Sequence, residues 1–235
     1  MGLSRRPPEP ITQPGGTTPM SKMQMVRPWQ WVLRLLPLLL IGNLQAQEEP
    51  LFSNEYLQAV KYQLEPGAAI DVKAAPHGIV AVTLDEGSLN INGTVTGVLP
   101  SGFFYWQPGE SVVIKNHGVR PVALFVGRVT ALSGIDTGGS TLAKVDYHHL
   151  MHENSAVEMY RVTIPPGADT GQHHHTRKGV AFVVSGGKAR VTFADGKTVV
   201  NEFGDGVAMW HEEELIHRLV NVGESTIQVL DIEWK

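Results

Sequence analysis

The sequence predicts an all-β protein made of two similar units. Three observations lead there. Apolar runs are short, rich in β-branched and aromatic residues, and bounded by glycine and proline turn signals. Two stretches of chain align at an offset of 100 residues. Few segments show helical periodicity, whereas 25 Gly and 15 Pro supply many turns.

Residues 1–24 are Pro-, Gly- and Thr-rich without periodicity and read as a disordered start, with Met20, Met23 and Met25 as alternative initiators. Arg27 and Arg34 then flank the approach to an apolar run over 35–44, and Ala46 precedes the acidic pair Glu48 and Glu49. This layout predicts a signal peptide cut near Ala46 and a secreted or periplasmic protein. The run is shorter than the ~20 residues of a spanning helix and contains Pro37, so no stable membrane insertion is expected after cleavage. Loss of 1–46 removes five basic residues and one acidic residue, which leaves a net charge of −8.

The two units follow. Asn54 matches Asn154, Pro66, Gly67 and Ala68 match Pro166, Gly167 and Ala168, and Val80 and Ala81 match Val180 and Ala181. Further on the offset grows: Trp106 meets Trp210, while Asn116 and Gly118 meet Asn221 and Gly223. Each identity is weak alone; order and near-constant spacing carry the repeat. The period is too long for a solenoid and indicates two whole domains, 51–130 and 142–235. Gly134, Gly138 and Gly139 mark residues 131–141 as the linker. In the second unit, strands are expected over 160–164, 180–184, 188–193, 206–210, 216–220 and 225–233. So many short strands suggest a sandwich or barrel in each unit.

Composition excludes several chemistries. The absence of cysteine removes disulfides, thiolate zinc sites, iron–sulfur clusters and thiol nucleophiles. A net charge of −4 without a basic block argues against nucleic acid. Neither a phosphate-binding glycine loop nor a serine nucleophile elbow is present.

The histidines carry the chemistry. His173, His174 and His175 are consecutive. In a strand, His173 and His175 point to one face and His174 to the other. Two imidazoles on one face are half a metal site; the alternative is a solvated, His-rich loop. His217 lies in an apolar strand, where a buried imidazole needs a reason. His148, His149 and His152 are expected on a polar strand leading into the second unit. His211 is expected at the rim of the site or in a solvated turn, and His77 and His117 in turns of the first unit.

Gly167 followed after five residues by His173 and His175, with Gly186 or Gly187 beyond, resembles the first motif of the cupin superfamily. Gly206, Glu212, Glu214, His217 and Asn221 match the spacing of its second motif. The resemblance covers 51–235 and implies two double-stranded β-helix, or jelly-roll, barrels. It also implies a metal site on His173, His175 and His217. Two departures stand out. The place of the family's glutamate ligand falls on Gly179 or Val180, and the second motif's proline and glycine are both glutamate. Three neutral histidines suit Fe, Zn, Ni or Cu and favour Mn less; Glu212, Glu213 or Glu214 could add a carboxylate. In the first unit the aligned positions are Lys73, Ala75 and Val112, so that copy is expected to be a degenerate, metal-free scaffold that packs on the other or holds an apolar ligand.

The resemblance leaves function open. One reading is a metal-dependent, oxygenase-like enzyme using Fe(II) on a small molecule, with no catalytic residue assigned. Another is a non-catalytic binding or sensing cupin, and a third a structural exported protein with a vestigial site. Oxalate-acting enzymes are a poor match without the glutamate ligand. A small-molecule ligand and a homodimer are the expected partners.

Overall fold

The computed structural model describes residues 46–132, 141–212 and 214–235; the expected leader lies outside them. The first unit runs β1 (Gln47–Ser53), β2 (Leu57–Leu64), β3 (Ala69–Val72), β4 (Ile79–Thr83), β5 (Gly87–Ile91), β6 (Thr94–Leu99), β7 (Phe104–Gln107), β8 (Val112–Asn116) and β9 (Val122–Val129). A 3-10 turn over Leu142–Lys144 opens the second. There follow β10 (His148–Glu153), β11 (Val157–Ile164), β12 (Asp169–His175), β13 (Gly179–Ser185), β14 (Gly187–Phe193), β15 (Thr198–Phe203), β16 (Ala208–His211), β17 (Leu215–Asn221) and β18 (Ile227–Trp234). No helix among the described residues is long and apolar enough to cross a membrane.

Each unit is two antiparallel sheets. The first has orders β1-β2-β9-β4-β7 and β3-β8-β5-β6, and the second β10-β11-β18-β13-β16 and β12-β17-β14-β15. Adding nine to each strand number of the first unit reproduces the second, so both are jelly-roll barrels of one topology. The repeated asparagines explain part of this likeness. Asn54 Oδ1 accepts from the amides of Tyr56 and Leu57, and Asn154 Oδ1 from those of Ala156 and Val157. Asn116 and Asn221 donate through Nδ2 to Leu64 and Ile164 carbonyls respectively, and accept from the amides of Gly118 and Gly223. Both side chains are fully buried and tie corresponding corners of their barrels, satisfying backbone groups that would otherwise be orphaned.

Strand pairing corrects the repeat alignment at one place. Val112 pairs with Val72, whereas His217 pairs with His173. The β12 register shifts between Asp169 and Gln172, where Gly171 adopts φ 67°, a left-handed conformation suited to glycine. This extra residue moves the correspondence by one, so His173 matches Val72 rather than Lys73, and His175 matches Ala74 rather than Ala75.

Three apolar clusters hold the molecule together. Ile79, Leu89, Ile114 and Leu124 are among those filling the first barrel. A pocket among these side chains, lined in part by Leu89, Ile114 and Leu124, holds about 10 Å³, roughly room for one water. That volume is far below what an apolar ligand of several carbons needs. Tyr160, Val162, Val183 and Val191 belong to the second barrel's core. The third cluster lies between the barrels and joins Leu57, Val80 and Phe125 to Met159, Phe182, Trp210 and Trp234. Phe125 and Phe182 meet across it with ring centroids 4.5 Å apart. Every residue of β4 is buried because one face lines its barrel and the other lies on the second unit.

Candidate metal centre

β12 and β17 are adjacent antiparallel strands, and His173 and His217 are direct partners in their ladder. His175 lies two residues along on the same face. All three are at least nine-tenths buried, while His174 points outward to Glu214 Oε2 at 2.9 Å. The rings of His173 and His217 have centroids 4.4 Å apart, and those of His175 and His217 are 5.1 Å apart. The structure thus brings the three sequence-predicted histidines together in one wall of the second barrel. Each offers one ligand atom, and these atoms lie within 4.8 Å of one another.

Hydrogen bonds set how the imidazoles point. His173 Nδ1 lies 3.1 Å from the Gly171 carbonyl and donates to it, which leaves Nε2 as the bare lone pair. His175 Nδ1 donates to Glu233 Oε1 at 3.2 Å, with Asp231 Oδ2 3.6 Å away. A carboxylate behind an imidazole fixes the tautomer and raises ligand basicity. His175 Nε2 then faces His217 Nε2 at 3.1 Å. Two ligands at ~2.1 Å from a common ion, at tetrahedral or octahedral angles, stand about 3.0–3.4 Å apart, so this separation fits a shared divalent ion. The buried Nδ1 of His217 has no hydrogen-bond partner among the described residues.

Burial keeps the three neutral, the form that binds metal. It pushes His173 down to about 4 and His175 to about 3, and holds His217 well below the ordinary histidine range, with the neighbouring imidazoles adding to the effect for His173 and His217.

Four further residues belong to the site. His211, expected at the rim or in a turn, ends β16 and is buried at 4% exposure. Its ring sits 4.6 Å from that of His175, and its Nε2 is 3.4 Å from Asp231 Oδ1. Burial opposes its protonation, but the hydrogen bond and charge of Asp231 outweigh burial and raise its pKa. Burial alone would raise the Asp231 carboxyl; facing His175 and the bond from His211 reverse this and hold it below the carboxylate range. His175, His211 and Asp231 form a second group with ligand geometry. Position 179, one of the two places where the resemblance put an absent carboxylate, is covered by His211: a Cβ there would lie 2.4 Å from its Nε2. His148, expected on a polar strand, is also buried, with Nδ1 donating to the Asp146 carbonyl at 2.9 Å and its ring 5.1 Å from His173. Asp231 and Glu233 were legible as two acids, two residues apart, within a largely apolar final strand. Two carboxylates of the turn between β16 and β17 take other roles: Glu212 accepts from Trp210 Nε1 and Glu214 from His174, so neither is directed at the three histidines.

The histidines open onto a cavity of about 70 Å³ inside the barrel. Its ladder positions separate by polarity. Asp231 pairs with Tyr160 and Ala181, near His211 and the three histidines. Val229 pairs with Val162 and Val183, and Ile227 with Ile164, further along the barrel. One end therefore presents nitrogen and oxygen donors and the other presents hydrocarbon.

Residues 160–233 match the family model described as Cupin domain. Among curated proteins none is similar in sequence. Solved structures share the fold at low identity. A cupin 2 conserved barrel domain protein from Leptotrichia buccalis aligns over 84% of this chain and 92% of its own, with 12% identity and a TM-score of 0.54. The Mn(II)-containing oxalate decarboxylase of Bacillus subtilis aligns over 80% and 72%, with 15% identity and a TM-score of 0.55. Salicylate 1,2-dioxygenase of Pseudaminobacter salicylatoxidans aligns over 76% and 71%, with 12% identity and a TM-score of 0.52. The second barrel thus matches the cupin family model over residues 160–233, and the first repeats its strand order.

Proposed function

We propose that His173, His175 and His217 bind one divalent ion through Nε2, and that the protein is a metal-dependent, oxygenase-like enzyme acting on a small molecule. The observation that supports this most is the 3.1 Å approach of His175 Nε2 and His217 Nε2, with Nδ1 of His175 tied to Glu233 behind it. The all-histidine set suits Fe, Zn, Ni or Cu. When bound, such an ion supplies Lewis acidity or redox capacity at positions the protein leaves open. The chain's own residues do the rest. Glu233 and the Gly171 carbonyl orient two of the imidazoles. Asp231 holds a proton on His211 Nε2 beside the His175 ring. The hydrocarbon walls keep bulk water from a ligand in the cavity.

Two enzymes of this fold, the Mn(II)-containing decarboxylase and the dioxygenase named above, are consistent with the reading. Elemental analysis of untagged protein, followed by oxygen-uptake assays with candidate substrates, tests it. The expected result is about one equivalent of metal and metal-dependent uptake. Metal without uptake reassigns the protein to binding or sensing; absence of metal after reconstitution removes the reading.

We also propose that the chain is exported after a cut near Ala46. Cleavage there leaves β1 whole, since that strand begins at Gln47.

A further inference from the structure

The cavity beside the histidines has an uneven chemistry. Its polar lining is Thr170, five histidines and Asp231; Val162, Ile164, Val183, Ile227 and Val229 are among the hydrocarbon groups that make up the rest. Among the described residues, no lysine or arginine lines it. The His211 imidazole in this lining is already engaged by Asp231 at 3.4 Å. A ligand carrying a carboxylate away from its metal-binding head would lose hydration there and meet no cation, and Asp231 would repel it. Burying an unpaired carboxylate is among the costliest events in a protein interior. A cavity of about 70 Å³ accommodates roughly five to seven water-sized groups, which sets the scale of the guest.

We infer that the ligand of the C-terminal cavity is a small molecule with a single chelating head and an uncharged hydrocarbon tail, and that dicarboxylates are rejected. The inference rests on the reading of His173, His175 and His217 as metal ligands. The head meets the ion, and the tail lies along Val183, Val229 and Ile227, where each buried methylene strengthens binding by apolar transfer. The same lining separates this protein from any relative whose substrate is a small dianion.

The test uses untagged protein loaded with Co²⁺, whose visible spectrum reports ligands entering the coordination sphere. Two probes carry the same hydroxamate head: butyrohydroxamate, with a hydrocarbon tail, and malonate monohydroxamate, with a carboxylate tail. Because the heads are alike, a difference in affinity reads the cavity. Butyrohydroxamate is expected to bind at least about tenfold more tightly. Leu219→Arg, at a half-buried lining position, is expected to narrow or reverse that preference; the wild-type comparison stands if this variant fails to fold. Equal or tighter binding of the carboxylate-tailed probe overturns the inference, as does retention of cobalt with neither probe changing the spectrum. Failure to retain cobalt, measured on the same samples, overturns the metal reading and this inference with it.

Discussion

The imidazole of His211 lies directly over the backbone of Gly179: a side-chain carbon at position 179 would sit 2.4 Å from Nε2, 2.5 Å from Cε1 and 2.6 Å from the Ile232 carbonyl. The two residues are partners in the β13–β16 ladder. The small residue on one strand thus makes the space that the large residue on the next one fills. Gly179→Ala is expected to destabilise the protein by about 1–3 kcal/mol, the usual cost of overpacking. Combining it with His211→Ala recovers only part, because the contact with Ile232 remains. Urea denaturation of the two single variants and the double variant measures that coupling.

Alanine at His173, His175 or His217 is expected to remove metal, with His174→Ala nearly silent because that side chain faces away toward Glu214. Elemental analysis of the four variants checks this. Equal loss in His174→Ala would make the three consecutive histidines a surface chelator.

Acid should destabilise the metal-free protein. The folded pKa values of His173, His175 and His217 lie below the unfolded value near 6.5, so the unfolded chain binds more protons as pH falls. Their contribution is complete above about pH 6.5 and is lost progressively as pH falls toward about 4 and below. His211, with a raised pKa, works in the opposite direction, but it is one group against these three and His148, which burial also lowers. Urea midpoints at pH 7 and pH 5 should therefore fall with acid, and more steeply with metal present, because protons compete for the ligands.

Phe182→Ala is expected to cost about 3–5 kcal/mol, the range for an aromatic side chain lost from a core. Since Phe182 packs on Phe125 of the other unit, both barrels should melt in one calorimetric transition. Two resolved transitions would show that the shared cluster does not couple them.

Intact-mass measurement of exported protein should give an N-terminus near Gln47. A full-length species confined to the cytoplasm would sink the export proposal.

The strand pattern and the repeat were legible because sheets write themselves into sequence at short range, as alternation and turn residues. His173 and His175 could be paired from alternation alone, and His217 from its apolar surroundings. Three things were not legible. The left-handed Gly171 inserts a residue into β12, and no local signal separates such a bulge from an ordinary turn. His211 follows Trp210 at what looks like a strand's end; the strand starts at Ala208, later than expected, and continues through the histidine. The core between the barrels was latent in the unbroken apolar runs of β4 and β13, which show burial on both faces but not what covers the second one.

The shared cluster has a consequence for stoichiometry. Two identical single barrels meeting through this surface would form a symmetric dimer and place two centres in each particle. Here one chain supplies both halves, and the histidine positions of its first half hold Val72, Ala74 and Val112. The proposed centre is therefore present once per chain, with one half relieved of any duty to stay open around a ligand and free to fill with hydrocarbon. A substitution that harms the packed half is then felt as stability, and one that harms the open half as chemistry. Selection can act on the two separately within one polypeptide.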